Sequence, residues 1–244
     1  MTDSYPSEIP PLRSYQTLTV ITPVYNERAT VAEVIRRMRA VELPVLLQII
    51  VVDDGSNDGS DKVLGALEDS TVHVIRHGQN RGKGAAVRTG LSEARGDLVL
   101  IQDADLEYDP ADVPALVEPI ARGAADVVFG SRLRGGRPQR AHMFWHLVGN
   151  RCLSLLTNVL YNTTLSDMET GYKAFRTEVL RSLELHRNSF AVEPEITAKV
   201  CKRKLRIYEL PISYYGRSYA EGKKITWRDG FGAVSVLVSE RFRS

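Results

Sequence analysis

Cysteine is scarce in this chain of 244 residues. Cys152 and Cys201 are the whole supply, too few for a disulfide scaffold and in keeping with reduced thiols in a cytoplasmic protein. Long apolar runs are also missing. The uninterrupted ones, such as residues 45–47 and 49–52, fall far short of the ~20 residues that cross a bilayer. The start, MTDSYPSEIPPLRS, has no basic-then-apolar leader, and residues 1–14 are expected to form a flexible tail. Aromatic RNP-type strings, a helix-turn-helix signature and zinc-finger spacing are absent, which removes the support for a nucleic-acid partner. With 43% apolar and 25% charged residues, neither a disordered chain nor a collagen-like repeat fits.

Net charge is small, +2, but unevenly placed: residues 1–131 carry −8 and residues 132–244 carry +10. A basic half suits a phosphate-bearing partner, although a merely solvated basic face would look the same. Along the first half, β-branched runs at 18–22, 48–52, 72–76, 98–102 and 127–129 alternate with helical patterns at 31–40, 60–67, 84–94 and 111–122. That alternation predicts an α/β fold with a mainly parallel central sheet flanked by helices. Beyond 131 the spacing predicts a long helix at 141–161, a helix near 193–202 and a strand near 206–214, a C-terminal elaboration of a single domain spanning 15–244.

Ligands of such sheets gather outside the carboxyl ends of the strands, so the segments after each strand matter most. They read PVYNE, DDGSNDGS, HGQNRGKG, DADLEYD and GSRLRGG. In the fourth, Asp103 and Asp105 are two apart on an extended segment and point the same way, a pattern for Mg²⁺ or Mn²⁺ bridged to substrate phosphates. In the second, Asp54 can accept hydrogen bonds from a base or ribose, or serve an ordinary turn. A calcium loop starting at Asp54 fails, because its twelfth position is Gly65 where a bidentate Glu is required. In the third, glycines before a helix suggest phosphate cradling, with Arg81 and Lys83 as diphosphate or acid partners, but neither a Walker loop nor G-x-G-x-x-G is formed. His142 and His146 have a zinc-compatible spacing without a third ligand.

Taken together, TPVYNE, VVDDGSNDGS, NRGKGAAVRTG, DADLEYDP and GSR resemble the family 2 glycosyltransferases of the GT-A fold, over roughly residues 17–225. Within that family, SDMETGYKAFR, EPEITAK and ELPISYYGRSYAEGKK look like the dolichol-phosphate mannose synthase and polyprenyl-phosphate hexose synthase group. The resemblance implies that Pro23, Tyr25, Glu27 and Asp54 hold the nucleoside, with Lys83 also on the nucleotide sugar. It implies Asp103 and Asp105 at the metal and diphosphate, and Arg132, Arg217 and Lys224 at the phosphates of donor and acceptor. Residues 15–131 would then serve the donor and 132–244 the acceptor and a membrane.

Two departures stand out. Glu107 replaces a frequent Gln and is expected as a third metal ligand, and the loop after Arg217 lacks the usual Gly-x-Ser-Lys run. The implied reaction is inverting, metal-dependent transfer of a hexose to a polyprenyl or dolichyl phosphate, GDP-mannose being the foremost donor and UDP-glucose its rival. A soluble or protein hydroxyl acceptor would instead require a carboxylate base such as Asp167 or Glu169, and a non-catalytic binding module is the remaining class. A phosphate monoester with a second pKa near ~6 is already a nucleophile at neutral pH. The aromatic-rich stretch 144–161, with Arg151 placed for the acceptor phosphate, is expected either to attach reversibly to the cytoplasmic face of a membrane or to pack its apolar residues on its own domain. A membrane-anchored subunit or a second copy would be a further partner.

Overall fold

A computed structural model of the chain describes residues 15–141, 143–224 and 227–243. The tail expected at 1–14 and His142 lie outside the described residues. In chain order the elements are β1 (Thr17–Val24), α1 (Val31–Arg39), β2 (Leu46–Asp53), α2 (Ser60–Gly65), β3 (Val72–Arg76), α3 (Lys83–Glu93), β4 (Leu98–Ile101) and α4 (Val113–Ala121). They continue with β5 (Val127–Ser131), α5 (Phe144–Tyr161), β6 (Lys173–Arg176), α6 (Thr177–Ser182), α7 (Val192–Lys202), β7 (Ile207–Pro211) and α8 (Trp227–Phe242).

The strands form one seven-stranded sheet in the order β3-β2-β1-β4-β6-β5-β7. All pairings are parallel except those of β6, which runs antiparallel to both β4 and β5. The uninterrupted apolar run Ile49–Val52 is explained by burial on both faces. Val20, Val51 and Leu100 face the α1, α2 and α4 side with Ile35, Met38, Leu64 and Leu116. Ile21, Ile50 and Ile101 face the other side with Val87, Leu91, Leu180 and Ile196. Each such side chain contributes about 1.5–3 kcal/mol by leaving water.

The mainly parallel sheet with flanking helices agrees with the sequence. The long helix begins later than expected, at Phe144, because Met143 adopts a left-handed backbone with φ 56°. Asp109 caps the turn before α4 as its side chain accepts from the Ala111 amide at 3.0 Å. The strand β6 was not anticipated. It brings Lys173 opposite both Ile101 and Phe129, so the segment leading into it, 167–172, arrives at the edge where β4 and β5 end. The sheet order reverses direction around β1 and β4, which is where a crevice opens in doubly wound sheets.

Candidate active site

A cavity of about 550 Å³ occupies that crevice, walled by segments that follow β1, β2, β4 and β5 and by the 167–172, 188–194 and 214–224 segments. Pro23, Tyr25, Glu27, Asp54, Lys83, Asp103, Asp105, Glu107, Arg132, Arg217 and Lys224 all line it. Eleven residues spread over two hundred positions of sequence thus meet at one sheet edge.

Glu27, Asp105 and Arg217 form its electrostatic centre. Arg217 contacts Glu27 through both terminal nitrogens at 3.1 Å and Asp105 at 3.0 Å. Lys224 adds a 2.7 Å contact to Glu27 and reaches the Tyr25 carbonyl. Burial disfavours the Glu27 charge, but Arg217 and Lys224 outweigh it and hold the carboxyl below its ordinary value. Asp105 goes the other way. Burial, with the negative charges of Asp103 and Glu107 beside it, pushes its pKa up to about 7 despite Arg217. A carboxyl raised by neighbouring carboxylates is one that gains from a cation.

Asp103 Oδ1 lies 2.7 Å from Lys83, whose ammonium also meets Glu193 at 3.0 Å. Burial alone would depress Lys83, and Asp103 and Glu193 instead raise it, so it is a firm positive charge. Glu193 in turn holds Lys173 at 2.7 Å beneath the Phe129 ring. Arg132, also on the cavity wall, is bound through Nε and Nη2 to Asp167 at 2.7 and 2.8 Å. Asn150 also donates to Asp167 at 2.8 Å. A fork held at two points has one orientation, suited to phosphate. Asp167 is therefore committed to Arg132 and is not poised as a base.

Two expected site residues have protein partners of their own, and two expectations from sequence need correcting. Glu107 lines the cavity and also ties the loop: its Oε1 accepts from the Arg217 amide at 2.6 Å and its Oε2 from the Tyr214 hydroxyl at 2.9 Å. Asp54 reaches the cavity wall, but its oxygens accept from the Arg81 and Gly82 amides at 2.9 and 2.7 Å and pair with His77 at 2.6 Å. It organises a loop. The glycine-rich run before α3 is no phosphate cradle, since Gly84 and Ala85 donate to the Asn188 carbonyl at 2.6 and 3.2 Å and Arg81 is exposed. Arg151 lies outside the cavity, on a separate groove with Leu133 and Leu155. His146 meets the Tyr219 hydroxyl at 2.9 Å.

Asp103 and Asp105 fit a hard divalent ion. No group of three or more His, Cys, Asp or Glu among the described residues forms a ready cage. Mg²⁺ and Mn²⁺ nevertheless bind through one or two carboxylates, with water and substrate phosphate completing the shell, and the raised Asp105 supplies the charge imbalance that such an ion relieves.

The glycosyl transferase family 2 profile matches residues 19–184. The chain belongs to glycosyltransferase family 2. It is 31% identical over 209 residues to the dolichol-phosphate mannosyltransferase of Pyrococcus furiosus, covering 84% of this chain and 58% of that protein. It is 31% identical over 229 residues to the UDP-N-acetylglucosamine–dolichyl-phosphate N-acetylglucosaminyltransferase of Methanococcus voltae, covering 84% and 89%. The chain spans 63% of the length of a Haloferax volcanii glycosyltransferase that it also matches. Among solved structures, glucosyl-3-phosphoglycerate synthase of Mycobacterium tuberculosis with Mn²⁺, UDP and phosphoglyceric acid superposes with TM-score 0.72 at 21% identity, over 94% of this chain and 79% of that one. The shared architecture is the GT-A fold of this family.

Proposed function

We propose that this family 2 glycosyltransferase moves a hexose from a nucleoside diphosphate sugar to a polyprenyl phosphate, with inversion, at a membrane surface. One observation carries the reading most of all. One cavity is lined both by Asp103 and Asp105 and by the doubly held Arg132, carboxylates for a metal and a fixed guanidinium for a phosphate. The names of the Pyrococcus furiosus and Methanococcus voltae relatives support a lipid phosphate acceptor.

Asp105, with Asp103, would hold Mg²⁺ or Mn²⁺, which neutralises the departing diphosphate when bound. Lys83, Arg217 and Lys224 carry the remaining positive charge on the donor side. Preplaced charges of this kind stabilise a developing anion without reorganising. Arg132 aims the acceptor phosphate, already a nucleophile near neutral pH. Mannose from GDP-mannose is the first candidate donor. UDP-sugars are the second, supported by the N-acetylglucosaminyltransferase and by the UDP complex of the structural neighbour.

The membrane part rests on α5. Phe144, Trp145, Leu155 and Val159 are exposed, while the fully buried positions of that helix are Ser154 and Thr157. One apolar face of α5, with Leu153, Leu156 and Leu160, packs on the core, a second is turned outward, and the neighbouring α8 exposes Phe231 and Phe242. Arg151 makes no ion pair among the described residues and stands on this face, whereas Arg134, Arg137 and Arg140 pair with Glu209, Asp112 and Glu221. An anionic lipid surface matches such a face. No helix of the described residues is long and apolar enough to cross a membrane.

The test is transfer of labelled hexose from GDP-mannose, UDP-glucose or UDP-N-acetylglucosamine, with Mn²⁺, to undecaprenyl or dolichyl phosphate in detergent. Label entering the lipid phase is expected from at least one donor and is abolished by EDTA. Label reaching only soluble hydroxyl acceptors would overturn the lipid reading.

A further inference from the structure

Glu169 is the carboxyl of the cavity wall that nothing accounts for. Among the described residues its Oε1 is buried without a hydrogen-bond partner, and the residue lines the cavity with Gly171 and Arg132. The neighbouring acids are all engaged: Asp167 with Arg132, Glu193 with Lys83 and Lys173, Asp103 with Lys83. Leaving a buried polar group unmatched costs about 1–3 kcal/mol, more for a charge.

The backbone on either side explains why the side chain stays there. Lys173 donates to the Met168 carbonyl at 3.3 Å and to the Thr170 carbonyl, the residues flanking Glu169. Thr197 donates to Met168 at 3.1 Å, and the Gly171 amide donates to the Tyr108 hydroxyl at 3.0 Å. A Cβ at position 171 would lie 2.6 Å from Asp103 Oδ2 and 3.0 Å from Lys83 Nζ, so the segment is pressed against the diphosphate side of the cavity. The loop is clamped around Glu169, and the Glu169 carboxyl takes no part in the clamping.

We propose that Glu169 binds a hydroxyl of the donor's hexose ring and thereby selects which nucleotide sugar the cavity accepts. The inference rests on the donor reading above. Both phosphate groups of the reaction are matched by cations, and a carboxylate would repel them. The uncharged, hydroxyl-rich part of the substrates, lying between those phosphates, is the sugar. Burial, with Glu193 and Asp167 adding to it, pushes the Glu169 pKa up to about 7 against the pull of Lys173 and Arg132. Near neutral pH the group therefore both donates and accepts, which suits a hydroxyl.

The test uses calorimetric binding with Mn²⁺ of GDP-mannose, UDP-glucose and UDP-N-acetylglucosamine, each beside free GDP or UDP, together with thermal melts. For the sugar that the wild type prefers, Glu169→Gln and Glu169→Ala are expected to raise Kd about tenfold or more, while free nucleoside diphosphate binds within about twofold of wild type. Preference among the sugars narrows, and the melting temperature of Glu169→Gln holds or rises because an unpartnered carboxyl has been removed. Equal weakening of sugar and free diphosphate, or no change in either, overturns the role of Glu169 alone. So does an effect confined to the KM of the lipid phosphate. A wild type that binds none of the three sugars overturns the donor reading and this inference with it.

Discussion

The acidic first half and the basic second half meet the same cavity by different means. From β1 to β5 the site residues follow parallel strands, one loop per strand, so backbone topology alone brings Tyr25, Asp103 and Arg132 together. From α5 onward the contributions come through side-chain contacts made over long sequence distances. Arg217 reaches Glu27, 190 positions away, and Lys224 reaches the same carboxylate from 197 positions away. The first set is thus organised by the sheet and the second by ion pairs. Substitution should therefore affect chemistry most on the first side and stability more readily on the second.

The largest effect should come from Asp105→Asn. Losing the charge that receives the metal removes several kcal/mol of transition-state stabilisation, a loss of transfer of about a thousandfold, with the melting temperature unchanged or raised. Retention of full transfer in this variant would sever the donor side from the metal. Asp167→Ala should act on stability, since breaking a buried pair costs about 3–5 kcal/mol and Arg132 then loses its holder. Arg132→Met with Asp167→Leu should recover much of the melting temperature without recovering transfer. If the double variant transfers normally, Arg132 has no role on phosphate.

A smaller effect is a pH slope. Asp105 and Glu169 rise from 3.8 and 4.5 to about 7 in the folded chain, so the folded state holds more protons than the unfolded one in between. Their contribution to stability falls as pH rises from about 4.5 to 7 and is constant above. Chemical denaturation of Asp105→Asn combined with Glu169→Gln should show a flatter profile in that window than wild type. Mn²⁺ affinity should climb with pH to about 7, because Asp105 must shed its proton. Smallest is membrane attachment. Phe144→Ser with Trp145→Ser should reduce sedimentation with anionic liposomes, which salt also weakens; unaltered sedimentation would move the contact elsewhere.

Much of the first half's share of the cavity was legible in the sequence because a strand-then-loop pattern announces itself locally. Asp103, Asp105, Tyr25 and Glu27 stood where the apolar runs ended, and they line the cavity. What escaped depended on distant partners. His77 gave no signal until it met Asp54. Glu193, a charged residue mid-pattern in a helix, is buried because Lys83 and Lys173 neutralise it. The strand β6 was hidden because its first residue, a lysine, is fully buried, contrary to what a strand pattern rewards. Glu107 and Asp54 stand after strand ends, where carboxylates serve cations and amides alike, and their amide partners in the loops of 77–82 and 214–217 were not visible in the sequence.

The position of β6 also has a consequence for how the molecule comes into being. It is the strand that joins β4 to β5, yet it is synthesised after α5, so β4 keeps an open edge from residue 101 until residue 173 has emerged. An unpaired, wholly apolar edge is a template for wrong partners, and pairings of such long separation form slowly. Nascent chains halted between β5 and β6 should therefore need chaperone shielding, and the sheet closes when the segment that carries Glu169 is already out.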